Sequence, residues 1–379
     1  MIPFLDLGAA TRELKAEIDG AVARVVDSGW YIGGPEVAAF EEDWAAYCGA
    51  QHGVGVGNGL DAMHLALKAI GVGPGDEVIV ASNGYIATQL AVTMAGATPV
   101  PVEPDRATHN LDPARIEAAI TSRTKAILPT HLYGQPADLD PMLEIARQHG
   151  LKLIDDAAQA HGARYRGRKI GGHPVESGGA SITCWSFYPS KNLGALGDGG
   201  AVTTDDPELA EKVRRLGNYG SSIRYVNQQL GVNSRLDPIH AAVLRVKLAT
   251  LDEWNDRRRA IAAFYSTALA DCDGLTVPYV PAWAEPAWHL YVVQSDAGDG
   301  QAGRDRLAAR LAEAKVQTLI HYPIPPHRQQ AYAAMGMGEG SLPIAEALAT
   351  RVLSLPIGPH LGMDQAERVA EAVRRACRA

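Results

Sequence analysis

Apolar and polar residues alternate in blocks along this chain, and the blocks switch between strand-like and helix-like patterns. Short β-prone runs at 77–82 (EVIVAS), 98–103 (TPVPVE), 125–130 (KAILPT) and 151–156 (LKLIDD) are separated by segments with helical spacing. Strands that alternate with helices predict an α/β fold with a largely parallel sheet covered on both faces. Right-handed crossovers would bring the carboxyl ends of these strands to one rim of the sheet.

Apolar positions three and four residues apart predict the helices between these runs. The predicted helices include an N-terminal one up to about Asp27 and others at 35–48, 112–120, 140–149, 303–314 and 363–377, with one long helix that ends near Arg259. The segment 316–324 (VQTLIHYPI) is predicted as a strand that leads into a loop. The long helix joins two predicted domains, a large α/β domain at 1–250 that includes the N-terminal arm and a smaller α+β domain at 251–379.

The composition is that of a soluble globular protein, with 379 residues, 46% hydrophobic, 21% charged and a formal net charge of −8. The negative charge argues against a nucleic-acid partner, and the absence of an apolar stretch of about 18 residues argues against a membrane span. No ligand pattern for a metal is apparent. The cysteines lie far apart in sequence without a CxxC pair, which favours free thiols and a cytoplasmic location: Cys48, Cys184, Cys272 and Cys377.

Two apolar runs in the middle of the chain end in polar residues. The run 151–154 is followed by three polar side chains, those of Asp155, Asp156 and Gln159. The run 181–187 brings a second group, Ser186, Ser190 and Lys191. Because ligands of α/β proteins bind outside the carboxyl ends of the strands, we expect these side chains to form a site. A carboxylate, an amide, hydroxyls and one lysine are the groups that an enzyme dependent on pyridoxal 5′-phosphate (PLP) requires.

Each of these residue types has a place in PLP chemistry. Lys191 is predicted to hold the cofactor covalently as a Schiff base. Asp156 is predicted to pair with the pyridine nitrogen, which must stay protonated for the ring to accept electrons. Gln159 is placed to contact the 3-oxygen of the ring, and the Ser186 hydroxyl suits the phosphate.

A glycine-rich turn precedes the helix predicted after residue 58. Unpaired N–H groups and the helix dipole at a helix start bind phosphate, so Gly59 and Leu60 are candidate phosphate ligands. Glycine turns before helices are common without any ligand, so this pattern alone does not distinguish a phosphate site from an ordinary turn.

Two segments, LIDDAAQAHGA (153–163) and WSFYPSKNLGALGDGGAV (185–202), resemble the DegT/DnrJ/EryC1/StrS family of PLP-dependent nucleotide-sugar aminotransferases. The likeness runs from IPFLDL (2–7) to HYPIPPHRQ (321–329) and beyond. It implies the aspartate-aminotransferase fold (PLP fold type I), with a mostly parallel seven-stranded sheet sandwiched by helices and a smaller α+β C-terminal domain. In such a fold the second acidic residue of the first motif, Asp156, is the ring partner.

The resemblance also implies roles for residues outside the two motifs. Tyr85 would stack on the pyridine ring, and Asn233 would reach the phosphate in the other subunit of a homodimer with shared active sites. Substrate contacts would come from Tyr31, Tyr188 and His321. Ordinary packing for the tyrosines, a local turn for Asn233 and a local hydrogen bond for His321 are the alternatives that residue type leaves open.

The activity that the resemblance implies is amino transfer from L-glutamate to a dTDP-linked keto-deoxysugar, with pyridoxamine 5′-phosphate as the intermediate form of the cofactor. The segments NGLDA (58–62), GVNSRLD (231–237) and HYPIPPHRQ are similar to those of enzymes that aminate C-3 of 3-keto-6-deoxyhexoses. Amination at C-4 of a 4-keto sugar is the closest alternative. A PLP-binding regulator without activity is a remote alternative, since a fold does not dictate activity.

Overall fold

A central β-sheet with helices on both faces dominates the structure, a computed structural model that describes residues 1–172, 182–295 and 300–378. The helices, in chain order, are α1 (Leu7–Glu13), α2 (Lys15–Ser28), α3 (Pro35–Cys48), α4 (Gly59–Ala69), α5 (Ile86–Met94), α6 (Leu139–His149), α7 (Pro207–Gly217), α8 (Pro238–Leu248), α9 (Leu251–Ala268), α10 (Gln301–Glu313), α11 (Pro343–Arg351) and α12 (Met363–Arg378). The strands, in chain order, are β1 (His52–Val56), β2 (Glu77–Ala81), β3 (Thr98–Val102), β4 (Thr124–Leu128), β5 (Lys152–Asp156), β6 (Arg164–Tyr165), β7 (Arg168–Lys169), β8 (Ile182–Ser186), β9 (Gly200–Thr204), β10 (Leu275–Thr276), β11 (Ala284–Glu285), β12 (Tyr291–Ser295) and β13 (Val352–Leu355).

The large sheet has seven strands in the order β1-β9-β8-β5-β4-β2-β3. Strand β9 runs antiparallel to both of its neighbours, and the other neighbouring pairs, from β8 to β3, are parallel. The predicted α/β class and the mostly parallel seven-stranded sheet are therefore confirmed. In this order the two strands that carry the predicted site residues, β5 and β8, lie side by side.

Alternate residues of the central strands belong to two separate hydrophobic cores, one on each face of the sheet. In β2, Ile79 packs with residues of α3 and α6, whereas Val78 and Val80 pack with residues of α4, α5 and α7. All three side chains are fully buried. A strand with helices on both faces needs a continuous apolar run rather than an alternating one, and EVIVA meets that need.

The C-terminal part of the chain has its own sheet and core. Strands β10, β12 and β13 form an antiparallel three-stranded sheet that packs against α9, α10 and α12. Tyr265, Tyr291 and Val373 are fully buried there, and Ile2 joins them from the N-terminus. A third small sheet has the order β11-β6-β7. The predicted domain boundary between residues 250 and 251 stays a prediction.

Four predicted elements differ from the structure. The predicted N-terminal helix is divided into α1 and α2 at Leu14. The segment 112–120 forms two 3₁₀ turns (Pro113–Arg115 and Glu117–Ala119), because its backbone N–H groups donate three residues back along the chain rather than four, as from Ile116 to Pro113 and from Ile120 to Glu117. The long helix is divided into α8 and α9 at Thr250, where both the N–H and the hydroxyl donate to the Lys247 carbonyl oxygen.

The predicted strand at 316–324 is also absent from the sheets that the structure describes. Its residues make single bridges to different partners, Val316 to Ile2 and Leu319 to Ser354, so no continuous ladder forms. Ser181, the predicted start of β8, lies outside the described residues. Among the residues that are described, no helix has both the length and the apolar character that crossing a bilayer requires.

Candidate active site

Lys191 lies five residues beyond the end of β8, in a turn closed by a 2.8 Å hydrogen bond from its own N–H to the Tyr188 carbonyl oxygen. Its side chain is partly exposed, yet enough protein surrounds the amine that loss of hydration lowers its pKa to about 8. The charge of Asp156 acts in the opposite direction and favours the ammonium form. The lysine is therefore an amine that deprotonates far more readily than a surface lysine.

Asp156 is the last residue of β5, where it pairs with Cys184 of the parallel strand β8. Its carboxylate is buried, and one oxygen accepts hydrogen bonds from Thr88 Oγ1 at 2.7 Å and Thr130 Oγ1 at 3.2 Å. The other oxygen accepts from the N–H of Ala158 at 3.2 Å. These three donors come from α5, from the segment after β4 and from the turn after β5, and they hold the carboxylate in one orientation.

Gln159 is buried next to this carboxylate, and its amide connects two parts of the site. The side-chain oxygen accepts a 2.6 Å hydrogen bond from the N–H of Tyr133, and the side-chain nitrogen donates to the Tyr322 hydroxyl at 3.1 Å. The ring of Tyr322 also lies against the ring of Tyr85, with centroids 5.3 Å apart. Tyr322 thus touches both the predicted ring-oxygen residue and the predicted stacking residue.

The start of α4 meets the end of β8 at one corner of the sheet. A Cβ atom at Gly59 would lie 2.6 Å from the Cβ of Ser186, so only glycine permits this approach. Asn58 caps the helix by accepting from the N–H of Asp61 at 2.8 Å, which leaves Gly59 and Leu60 as the first helical residues, ahead of the first intrahelical bond. The predicted phosphate residues Gly59, Leu60 and Ser186 are therefore neighbours.

A second loop reaches the same corner. Ser234 Oγ donates to Asp61 at 2.6 Å and accepts from the N–H of Gly57 at 2.9 Å. The adjacent Asn233 is exposed, and its backbone bridges to Asn218. The structure thus places Asn233 one residue from the phosphate corner of its own chain.

Three histidines share the electrostatic surroundings of Lys191. Burial, reinforced by the lysine charge, lowers the pKa of His321 to about 4 and that of His161 to about 3, and it also lowers the pKa of His289. His321 Nδ1 lies 2.7 Å from the Ser354 hydroxyl. The lowered pKa values keep these rings neutral at physiological pH, so they add no positive charge near Lys191.

Two predicted substrate residues remain on the surface of this chain. Tyr31 is 53% exposed and donates from its hydroxyl to the Val26 carbonyl oxygen, and Tyr188 is 55% exposed. Neither is among the described residues that donate a hydrogen bond to the Asp156 carboxylate, which are Thr88, Thr130 and Ala158. Among the described residues, no group of three or more histidine, cysteine or acidic side chains has the arrangement that a metal ion needs.

Several residues that the structure brings to this site were not predicted. Thr130 lies two residues after the end of β4, so the same rule of polar strand ends would have found it. Thr88 lies within a helical pattern, and Tyr322 lies 163 residues from Gln159, so neither carries a local signal.

A lysine of lowered pKa and a buried carboxylate at the carboxyl rim of a mostly parallel sheet are the two groups that enzymes of the PLP-dependent fold require. The family model described as the DegT/DnrJ/EryC1/StrS aminotransferase family matches residues 12–374. The chain belongs to that family. Membership confirms the resemblance drawn from the two motifs, the aminotransferase class and the PLP cofactor.

Curated relatives match over nearly their whole lengths. A dTDP-3-amino-3,4,6-trideoxy-alpha-D-glucose transaminase from Streptomyces venezuelae is 55% identical over 98% of this chain and 95% of its own. A dTDP-3-amino-3,6-dideoxy-alpha-D-galactopyranose transaminase from Aneurinibacillus thermoaerophilus is 50% identical over 99% of both. The solved structure of S. venezuelae DesV in complex with a ketimine intermediate has a TM-score of 0.95 at 54% identity, covering 100% of this chain and 99% of that one.

Proposed function

We propose that this enzyme converts a dTDP-linked 3-keto-6-deoxyhexose into the 3-amino-3,6-dideoxy sugar, with L-glutamate as the amino donor. The observation that carries the proposal is that Lys191 lies close enough to the buried Asp156 for the carboxylate charge to act on its amine, at the rim formed by β5 and β8. The chain's relatives at 50 and 55% identity are named for dTDP-3-amino sugars. The product belongs to the biosynthesis of deoxyamino sugars.

The residues at this rim fit PLP. The start of α4 and Ser186 form a corner that suits a phosphate, because the missing side chain of Gly59 leaves the backbone N–H groups accessible. Asp156 offers a fixed carboxylate to a protonated pyridine nitrogen, and Gln159 retains a second amide hydrogen for the ring oxygen. When bound, the cofactor supplies an electron sink that makes the Cα proton of an amino donor removable.

Lys191 both holds the cofactor and moves the proton. With a pKa near 8, about one amine in ten is neutral at pH 7, against about one in three thousand for an ordinary lysine. A neutral amine is the form that attacks an aldehyde and that accepts a proton from Cα. The neutral ring of His321, on the loop that also carries Tyr322, offers the sugar a hydrogen-bonding group without a competing charge.

The position of amination can be tested directly. The purified enzyme is incubated with PLP, L-glutamate and either the 3-keto or the 4-keto form of a dTDP-6-deoxyhexose, and the new amine is located by NMR. The proposal expects an amine at C-3 and an equal amount of 2-oxoglutarate, and no product with Lys191→Ala. An amine at C-4 alone would replace it with the C-4 alternative. The two relatives differ at C-4 in their names, so the proposal leaves that centre open.

A catalytically silent PLP-binding regulator is the alternative from another class. It would bind PLP without producing 2-oxoglutarate from glutamate. The relatives at 50 and 55% identity that are named as transaminases favour the enzyme. The free thiols of all four cysteines fit the cytoplasm, where we place the reaction.

The proposed assembly is a homodimer with shared active sites. Several large apolar side chains are exposed on this single chain, among them Trp30 (57%), Tyr31 (53%), Tyr225 (85%) and Leu230 (97%). Exposed apolar surface of this kind marks an interaction site, and the loops that carry it include the Asn233 segment.

Complementation between two inactive variants tests whether the sites are shared. Consider a mixed dimer of one Lys191→Ala chain and one Asn233→Ala chain, in which each site takes Asn233 from the other subunit. One of the two sites then combines an intact Lys191 with an intact Asn233, and the other site lacks both residues. Activity should then appear on mixing, at up to half of the wild-type value per mixed dimer. If Asn233 serves the phosphate corner of its own chain, both sites stay defective and mixing restores nothing.

A further inference from the structure

A chain of buried amide groups connects the residue after Lys191 to helix α9. Asn192 is 4% exposed and Asn255 is 0% exposed. Asn192 Nδ2 donates to Asn255 Oδ1 at 2.9 Å and to the Ala287 carbonyl oxygen at 2.7 Å. Asn255 Nδ2 donates to the His161 carbonyl oxygen at 2.8 Å. The chain thus joins the lysine turn, α9, the turn after β5 and the segment that leads to β12.

The direction of these hydrogen bonds is determined by the two carbonyl groups. A carbonyl oxygen accepts only, so each asparagine must turn its NH₂ group toward the backbone that it meets. The side-chain oxygen of Asn255 then faces Asn192, and the second N–H of the Asn192 amide donates to it. Neither amide can flip without placing two acceptors against each other in a buried setting, which is unfavourable because neither oxygen would then have a donor. The chain therefore has one arrangement.

The packing around Asn255 allows no looser alternative. A Cβ atom at Gly162 would lie 2.6 Å from Asn255 Nδ2 and 2.5 Å from the Tyr47 hydroxyl, at a positive φ of 82°. One helical turn further along α9, the buried Arg258 donates to the Trp288 carbonyl oxygen at 3.1 Å. Residues three apart share a face of a helix, so this face of α9 holds two backbone segments, at His161 and at Trp288.

We propose that Asn255 is a positioning residue for Lys191. Through Asn192 it fixes the backbone at the residue after the lysine, and so the place of Nζ relative to Asp156. The inference rests on the proposed function, since it assigns the position of the amine that performs the chemistry. It does not require Asn255 to touch substrate or cofactor.

The apoprotein provides a readout that is independent of turnover. Competitive labelling with acetic anhydride, resolved by mass spectrometry of the Lys191 peptide, gives the pKa of this amine. In the wild type it should lie near 8. In Asn255→Ala the lysine gains freedom and water, so the value should rise by about one unit or more toward that of free lysine. In the holoenzyme kcat should fall by about tenfold or more, with KM for the sugar changed less than threefold.

Tyr265→Phe is the matched control. Tyr265 is fully buried on the same helix, and its hydroxyl donates to the Pro356 carbonyl oxygen at 2.9 Å, away from the lysine turn. Its loss should lower the melting temperature without moving the pKa of Lys191 or kcat. If Asn255→Ala behaves like Tyr265→Phe in both measurements, Asn255 is only structural and the proposal is wrong.

Asn192→Ala tests the same link from the lysine side, in case Asn255→Ala does not fold. It should reproduce the rise in the pKa of Lys191, and the double variant should add little to either single change because the two amides act as one unit. Unchanged labelling in Asn192→Ala, or full additivity, contradicts the proposal. Borohydride reduction of the wild-type holoenzyme distinguishes a failure of the proposed function from a failure of the role proposed for Asn255. Absence of cofactor on the Lys191 peptide refutes the proposed function, whereas the labelling of the apoprotein still reports on Asn255.

Discussion

Thr88 donates a 2.7 Å hydrogen bond to the carboxylate of Asp156, although 68 residues separate them in the sequence. The bond joins the first turn of α5 to the last residue of β5, and both side chains are buried. A helix on one side of the sheet thereby helps to orient the acid on which the proposed chemistry depends.

Removing this hydroxyl should weaken catalysis without removing the acid. Thr88→Val keeps the shape of the side chain and is expected to lower kcat/KM by roughly tenfold, the value of one buried hydrogen bond to a charged group. Thr130→Val removes the longer bond of 3.2 Å to the same oxygen and should have a smaller effect. Asp156→Asn should have the largest effect, and we expect it to lower kcat/KM by at least about a hundredfold. Equal effects of the two threonine variants would refute the graded role.

Gly59→Ala should weaken cofactor binding. The new methyl group would lie 2.6 Å from the Cβ of Ser186, so the start of α4 must move away from the corner that we assign to the phosphate. We expect the Kd for PLP, measured by absorbance titration of the apoprotein, to rise by about tenfold. Gly20→Ala in the middle of α2 has no atom within 4 Å of the new carbon and is the control, with unchanged PLP affinity and equal or higher stability. An unchanged Kd for PLP in Gly59→Ala would contradict the assignment of the phosphate to this corner.

The rate at which the apoprotein takes up PLP should depend on pH through Lys191. Burial lowers the pKa of this amine to about 8, and only the neutral amine attacks the aldehyde. The rate should therefore rise with pH up to about 8 and level off above it, where an ordinary lysine would continue to gain up to about 10.4. Stopped-flow absorbance between pH 6 and pH 10 measures it. A rate that still climbs tenfold between pH 8.5 and pH 9.5 would contradict the shift.

An ion pair between α1 and α9 should make stability depend on pH in the acid range. Arg257 lies 2.9 Å from Glu13. Its hydrogen bond to the Glu13 carboxylate, with a smaller contribution from a hydrogen bond to His360, lowers the pKa of Glu13 to about 2. Because the folded pKa lies below the unfolded value of about 4.5, the stabilisation is complete above 4.5 and is lost as the pH falls toward 2.

The matching experiment compares melting temperatures of the wild type and Glu13→Gln. The difference should be constant from pH 8 to pH 5 and should shrink below about 4.5. Glu144→Gln is the control, since Glu144 pairs with Arg147 at 2.6 Å on the surface of α6, where such pairs contribute little. A difference for Glu13→Gln that stays constant down to pH 3.5 would show that the pair is not the cause.

Residues next to strand ends were predictable from the sequence because their signal is local. An apolar run followed by Asp156 and Gln159, and another followed by Lys191, suffices once the strands are taken to be parallel neighbours, and β5 and β8 are neighbours. The break between α8 and α9 was not predictable, because the apolar spacing continues through it and the hydroxyl of Thr250 decides it.

Residues that act through packing were missed for a different reason. Nothing in the sequence distinguishes Asn255 from other polar residues of a long helix, and its partners Asn192 and His161 lie 63 and 94 residues away. Short strands such as β10 and β11 have two residues each, too few for any periodicity. Helix α11 begins at Pro343 and covers only nine residues, and it was not predicted.

The order of strands in the large sheet has a consequence for how the protein folds. Its N-terminal strand β1 pairs with β9, about 150 residues later, and the central strand β5 cannot be completed on one side until β8 has been synthesised. Contacts this distant in sequence slow folding and delay it until most of the chain has emerged from the ribosome. In a nascent chain that ends before β9, strand β8 therefore has no partner on the side where Ser186 pairs with Gly200. Retention of vitamin B6 by a series of truncated chains would report the length at which this pairing forms.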